Sequence, residues 1–256
     1  MLEKTKRIKQ AVIFAGGQGT RLRPLTNGLP KPLAPVNGIP FLDYLLSCLI
    51  DVGIVHVVLL VGYKAEKIMN RYGHELADGI KIDYSIGEVD DATGRRLLNA
   101  KHLLDDTFML LYADNYWPID LKNMQVLYQK NQVGVMATVF SNQSGTGEYG
   151  SENNVEVSAD GFVICYDKSR QSNHLNGVDI GYFIVNKSWI PFHRDDNLSF
   201  EEDLLPEFIA QKQLAAFVTD TQYYYITDMP SLKSFEDMVK HDHIIAHMGC
   251  VKEGAS

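Results

Sequence analysis

The 256-residue chain has only three cysteines, Cys48, Cys165 and Cys250, an odd number spread across separate apolar segments. That usage offers no disulfide framework and fits reduced thiols in a cytoplasmic protein. An excess of positive charge is missing too: 24 Lys and Arg against 32 Asp and Glu leave a net charge of -8. Nucleic acid and anionic membrane both call for a broad basic field, so neither is an expected partner. No segment approaches the roughly 18 consecutive apolar residues of a membrane-spanning helix, and the run AVIFA after the basic start is too short for a signal-peptide core. Internal repeats and low-complexity linkers are also lacking. A composition that is 45% hydrophobic can bury a large core, and residues 1–256 are read as one domain.

What the sequence has is alternation. Ile8 to Ala15 reads as a buried strand, and Phe41, Leu42, Leu45, Leu46 and Leu49 recur at helical spacing before Gly53. IVHVVLLVG (54–62) is a continuous run of the kind found in strands covered on both faces. A helix near 64–72, a strand near 80–86, a helix near 94–104 and the strand TFMLLYAD (107–114) follow. This pattern predicts an α/β fold with a Rossmann-like, doubly wound, mainly parallel mixed sheet. In the second half, VGVMATVF (133–140), a hairpin in NNVEVSADGFVICYDK (153–168) and GVDIGYFIV (177–185) read as strands, several of them antiparallel. Ser199, with Glu202 three residues on, opens a helix over 199–213, and LAAFVTD and YYYIT complete the strands.

The stretch FAGGQGTRLRPLTNGLPKPLAPVN (14–37) carries the chemistry. It is neither a Walker loop nor a dinucleotide fingerprint, since GxxxxGK[ST] is absent and Gly17, Gly19 and Leu22 give GxGxxL. It still has the parts of a phosphate cradle: Gly16, Gly17 and Gly19 let amide N–H groups face an anion, and Arg21 supplies a permanently charged planar fork. The alternative is a tight turn with solvated arginines. Lys31 stands between Pro30 and Pro32, which stiffen the loop that presents it. Asp114 follows an apolar strand, where a carboxylate can hold Mg²⁺ beside a phosphate or merely cap a turn. His243 and His247, four apart with Cys250 nearby, lack an HExxH or a paired CxxC and read as a surface helix.

Together GGQGTRLRPLT, PKPLAPVNGIP, YADN, YDKS, GVDIGYFIV and SFEEDLLP resemble, in order, the sugar-1-phosphate nucleotidylyltransferases. The last segment is most similar to the mannose-1-phosphate and heptose-1-phosphate guanylyltransferase branch. The resemblance implies transfer of a nucleotidyl group from an NTP, GTP in that branch, to a sugar 1-phosphate with Mg²⁺ as cofactor, within nucleotide-sugar and cell-surface polysaccharide biosynthesis. It implies that Gly16, Gly17, Gly19 and Thr20 cradle the triphosphate, with Thr93 and Gly94 against the base. Arg21 and Lys31 would neutralise charge during catalysis, Asp114 would hold the metal, and Lys168, Asp179 and Gly181 would meet the sugar phosphate. Asp167 stands where the family usually has glutamate.

Two segments depart from the family pattern. YYYITDMP puts Ile226 at the second metal carboxylate and leaves Asp228, two residues on and on the same strand face, to take its place. EVDDATGRRLLNA (88–100) puts Arg95 and Arg96 where relatives carry small residues; they would bind phosphate, pair with an acidic neighbour, or stand solvated at a helix start. These departures keep two other readings open: a noncatalytic nucleotide-sugar sensor and a nucleotide-sugar-dependent glycosyltransferase. A homo-oligomer is left open as well.

Overall fold

The computed structural model describes residues 7–76, 79–142, 152–242 and 244. The His243, His247 and Cys250 spacing and most of the polar 141–154 stretch lie outside them. Seven strands form the central sheet: β1 (Gln10–Phe14), β2 (His56–Val61), β3 (Lys81–Ile86), β4 (Thr107–Tyr112), β5 (Val135–Phe140), β6 (Val178–Asn186) and β7 (Leu214–Thr219). Their order across the sheet is β7-β5-β6-β4-β1-β2-β3. Pairing is parallel throughout except at β6, which runs antiparallel to both β4 and β5. A small antiparallel hairpin joins Val155–Val157 to Val163–Tyr166, as the Ala-Asp-Gly turn predicts.

Side-chain alternation along the strands divides the core in two. Ile13, Leu59 and Leu111 face helices α1 (Phe41–Asp51), α2 (Ala65–Tyr72), α4 (Leu121–Asn131) and α6 (Met229–His241). Val12, Leu60 and Leu110 face α3 (Thr93–Asn99) and α5 (Leu205–Ala210). The predicted helix over 94–104 is shorter: α3 stops at Asn99 and a 3₁₀ turn covers Lys101–Leu103.

The predicted helix over 199–213 divides as well. Ser199 does cap it, accepting the Glu202 N–H at 3.2 Å. Phe200–Leu204 then winds as a wide π turn before α5, where Pro206 lacks the N–H that would continue regular α bonding. The Phe200 ring is fully buried and lies 6.0 Å from Phe14, 5.1 Å from Phe183 and 6.3 Å from Phe208, centroid to centroid. One side chain thus joins β1, β6 and α5. Phe200→Ala should destabilise the protein by about 3–5 kcal/mol, measured by denaturant unfolding; a loss below ~1 kcal/mol would show that the ring is not a structural hub.

Candidate active site

Phe14 pairs with Leu60 on one side and Tyr112 on the other, so the carboxyl ends of β1, β2 and β4 are level. The loops that follow them open on one edge, the usual ligand edge of such a sheet. After β1 the glycine loop turns at Gly19, whose φ of 65° lies in the left-handed region. The Lys31 N–H donates to the Gly17 carbonyl at 3.1 Å, and the Thr26 hydroxyl donates to the Gly19 carbonyl at 2.7 Å. A Cβ at Gly19 would stand 3.0 Å from the Lys31 Cβ. The proline-braced segment therefore clasps the glycine loop, and Lys31 opens a 3₁₀ turn (Lys31–Leu33) with Pro32 buried beneath it.

From that turn the Lys31 ammonium reaches the Asp114 carboxylate at 2.6 Å. Both line a cavity of about 470 Å³ together with Gly16, Gly17, Gly19 and Thr20; Asp91, Ala92, Thr93 and Arg96 form another part of its wall. Arg21 is exposed beside it. The Ile226 N–H donates to the Asp114 carbonyl at 2.9 Å, and Tyr225 pairs with Asn115, so the segment leading to Asp228 runs alongside Asp114. Ile226 is fully buried. Asp228 caps α6 by accepting the Ser231 N–H, which, with the Ser231 hydroxyl and then Arg21 and Lys31, holds its carboxyl below the ordinary range. Among the described residues no three His, Cys, Asp or Glu side chains gather into a metal cage. Two carboxylates offering only oxygen suit a hard divalent ion that takes its remaining ligands from water and phosphate.

Lys168, Asp179 and Gly181 are not part of the cavity wall; Asp179 and Gly181 lie beside Tyr112, and Lys168 lies by Glu201 and Glu202. Gly181 sits at a register shift in β6, against Tyr112 and Asn115. Burial pushes the Asp179 carboxyl up to about 7; the Gly181 N–H opposes this and the negative charge of Glu201 adds to it. Burial also raises Glu201, whose carboxyl feels Lys168, Tyr112 and Asp114. Lys168 pairs with Glu202 at 3.0 Å. Glu201 thus lies within electrostatic reach of both Lys168 and Asp114, a position no spacing rule in SFEEDLLP marks, because it sits in a π turn. Asp167 is committed elsewhere: its carboxylate accepts the N–H groups of Ser169, Arg170, Gln171 and Ser172 and the Ser169 hydroxyl, which hold it at about 2.

The 88–96 segment resolves into distinct roles. The Thr93 hydroxyl lines the cavity and accepts the Phe200 N–H at 2.8 Å. Gly94 faces away from the cavity: a Cβ there would meet the Leu198 carbonyl at 2.8 Å, and the next N–H, of Arg95, donates to that carbonyl. Its smallness serves packing at that contact. Arg95 pairs with the exposed Asp195, the acidic-neighbour outcome. Arg96 is instead buried, and its guanidinium donates to the carbonyls of Val61 (2.9 Å), Glu88 (2.6 Å) and Val89 (3.3 Å).

Residues 10–243 match the model of the nucleotidyl transferase family. The chain is 29% identical over 216 residues to a D-glycero-alpha-D-manno-heptose 1-phosphate guanylyltransferase of Aneurinibacillus thermoaerophilus, covering 84% of this chain and 91% of that one. It is 28% identical over 230 residues to a probable glucose-1-phosphate cytidylyltransferase of Bacillus subtilis, covering 81% and 87%. The crystal structure of HddC from Yersinia pseudotuberculosis complexed with GMP-PN superposes with a TM-score of 0.74 at 25% identity, over 90% of this chain and 99% of that one.

The raised Asp179 carboxyl has a stability consequence with a definite sign. The folded state keeps this proton up to about pH 7, whereas the unfolded chain releases it near pH 4, so Asp179 lowers stability progressively between those values and by a constant amount above them. Asp179→Asn should therefore raise the melting temperature relative to the parent more at pH 8 than at pH 4.5. An equal difference at both pH values would mean that Asp179 titrates normally.

Proposed function

This chain belongs to the nucleotidyl transferase family and is a sugar-1-phosphate nucleotidylyltransferase; from that premise we propose that it transfers a guanylyl group from GTP to a mannose-type hexose or heptose 1-phosphate. The meeting of Lys31 and Asp114 at 2.6 Å beside the glycine loop carries the assignment of the reacting centre. Support for guanine and a manno-configured sugar comes from the heptose 1-phosphate guanylyltransferases, matched over 91% of their length, and from HddC with its guanine nucleotide.

The chemistry needs positioning and counter-charge more than a base. A phosphate monoester has a second pKa of about 6, so the sugar phosphate arrives mostly as the dianion. One of its oxygens forms a bond to the α-phosphorus as the bond to the β-phosphate oxygen breaks, and that electron pair leaves with pyrophosphate. The amides of Gly16, Gly17, Gly19 and Thr20 face the triphosphate, while Lys31 and Arg21 offset the charge that grows on the α-phosphate and the leaving group. When phosphate enters, Lys31 exchanges its Asp114 partner for a phosphate oxygen. Asp114 and Asp228 would hold Mg²⁺, which would supply Lewis-acid neutralisation of phosphate oxygens. Lys168 meets the sugar phosphate, and Asp179 with Gly181 forms the wall against the sugar.

Pyrophosphate release measured across NTP and sugar 1-phosphate pairs should be fastest for GTP with mannose 1-phosphate or a manno-heptose 1-phosphate. A faster rate with CTP and glucose 1-phosphate would replace that assignment. Arg21→Ala and Lys31→Ala should each lower kcat about 100-fold or more while leaving the far-UV circular dichroism and melting temperature near the parent's. Wild-type rates in both variants would remove these residues from the reaction. Asp114→Asn should shift the Mg²⁺ titration of the rate to higher concentration, and an unmoved titration would assign the metal elsewhere.

A further inference from the structure

Gly16, Gly62 and Gly87 follow β1, β2 and β3, and none of them has a φ in the left-handed region. Backbone angle therefore does not explain why all three strand ends are glycine; space does. A Cβ on Gly16 would stand 2.5 Å from Cζ, 2.7 Å from Nη1 and 2.8 Å from Nε of Arg96, so the guanidinium lies face-on against that residue. On Gly62 a Cβ would stand 2.5 Å from Nη1 and 2.8 Å from Nη2, and on Gly87 2.6 Å from the Asp91 carboxylate and 3.1 Å from Nη1. The fork is held by main chain: Nη1 donates to the Val61 carbonyl at 2.9 Å, and Nη2 to those of Glu88 at 2.6 Å and Val89 at 3.3 Å. Among the described residues no carboxylate comes within ion-pairing distance of it. One buried side chain from α3 thus fills the space that three glycines leave between the loops after three neighbouring strands.

We propose that Arg96 is a positioning residue for the triphosphate: it fastens the glycine loop at Gly16 to the ends of β2 and β3, so that the phosphate-facing amides are arranged before the nucleotide enters. The inference rests on the reading of that loop as the triphosphate cradle and adds what holds it in place. Lys31 and Thr26 clasp the loop at Gly17 and Gly19, whereas the neighbour of Gly16 is Arg96. Removing the guanidinium leaves a gap that no glycine side chain can fill, beside backbone that glycine makes permissive. The loop then spends only part of its time in the binding arrangement, and affinity falls by that fraction. Lysine would keep the charge, but a single ammonium cannot lie flat between the glycines and reach three carbonyls as the planar fork does.

Two measurements on the full chain test this in the parent, Arg96→Lys, Arg96→Met and Gly62→Ala: calorimetric titration with inorganic triphosphate in Mg²⁺, a probe without base or sugar, and amide hydrogen exchange of the ligand-free protein. Each variant should bind triphosphate about tenfold more weakly, the loss expected when about one loop in ten keeps the binding arrangement. Residues 14–20 should exchange faster in each, while α1 (Phe41–Asp51) exchanges as in the parent. Gly62 is not part of the cavity wall, and a Cβ there acts by displacing the guanidinium. Combining Gly62→Ala with Arg96→Met should therefore weaken binding no more than either change alone; a multiplied loss would overturn the proposal. Parent-like affinity in Arg96→Lys would make Arg96 a charge that touches phosphate directly, and faster exchange in α1 as well would make it a general support of the fold. Either result overturns the proposal, as does unchanged exchange over 14–20. If Arg96→Met does not fold, Arg96→Lys and Gly62→Ala decide by the same criteria. A parent that takes no triphosphate refutes the cradle reading, and the proposal falls with it; variants that bind as tightly as a binding parent refute the proposal alone.

Discussion

The main-chain ladders between Gln10–Phe14 and its two parallel neighbours set the height at which three loops leave the sheet. Parallel pairing in register is what brings the glycine loop after β1, Gly62 after β2 and Asp114 after β4 to a common edge. The strands are buried on both faces, and a slip of one residue would turn each apolar set toward the wrong helices. Hydrophobic patterning therefore fixes the placement of charged groups that make no hydrophobic contact themselves.

Charge at this edge is local. The chain as a whole is acidic, yet Lys31 and Arg96 line one cavity, with Arg21 following its Thr20 in the chain and Lys168 in the adjoining group. Opposing them, burial raises the carboxyls of Asp179 and Glu201, and the negative charge of Glu201 adds to the first and that of Asp114 to the second. A ligand that arrives with its own cation relieves that like-charge contact.

Much of this was legible in the sequence. The mainly parallel alternation, the glycine loop and the proline-flanked lysine rest on local signals, namely period, positive-φ glycine and fixed-φ proline. Helices α4 and α6 were less so: α4 buries little beyond Leu121 and Met124, and α6 is announced by a capping box between Asp228 and Ser231 that reads equally well as a metal-site aspartate. Gly94 reads as a loop glycine but answers to Leu198, more than a hundred residues away, a contact no local pattern encodes. Arg96 and Glu201 escaped for the same reason. Arginine is ordinarily exposed, so its burial depends on space left by glycines in other loops. Glu201 sits in a π turn that helical spacing does not describe.

The stitches between α3 and the chain around Leu198 have a mechanical meaning. Ala92 N–H to the Asn197 side chain, Arg95 N–H to the Leu198 carbonyl, Phe200 N–H to the Thr93 hydroxyl and the bare face of Gly94 bind the two segments along their length. The cavity wall bearing Arg96 and the turn bearing Glu201 are consequently fastened together, with their tightest contact at position 94. Residues a hundred positions apart in the chain are thereby held in one fixed relation at the edge of the sheet.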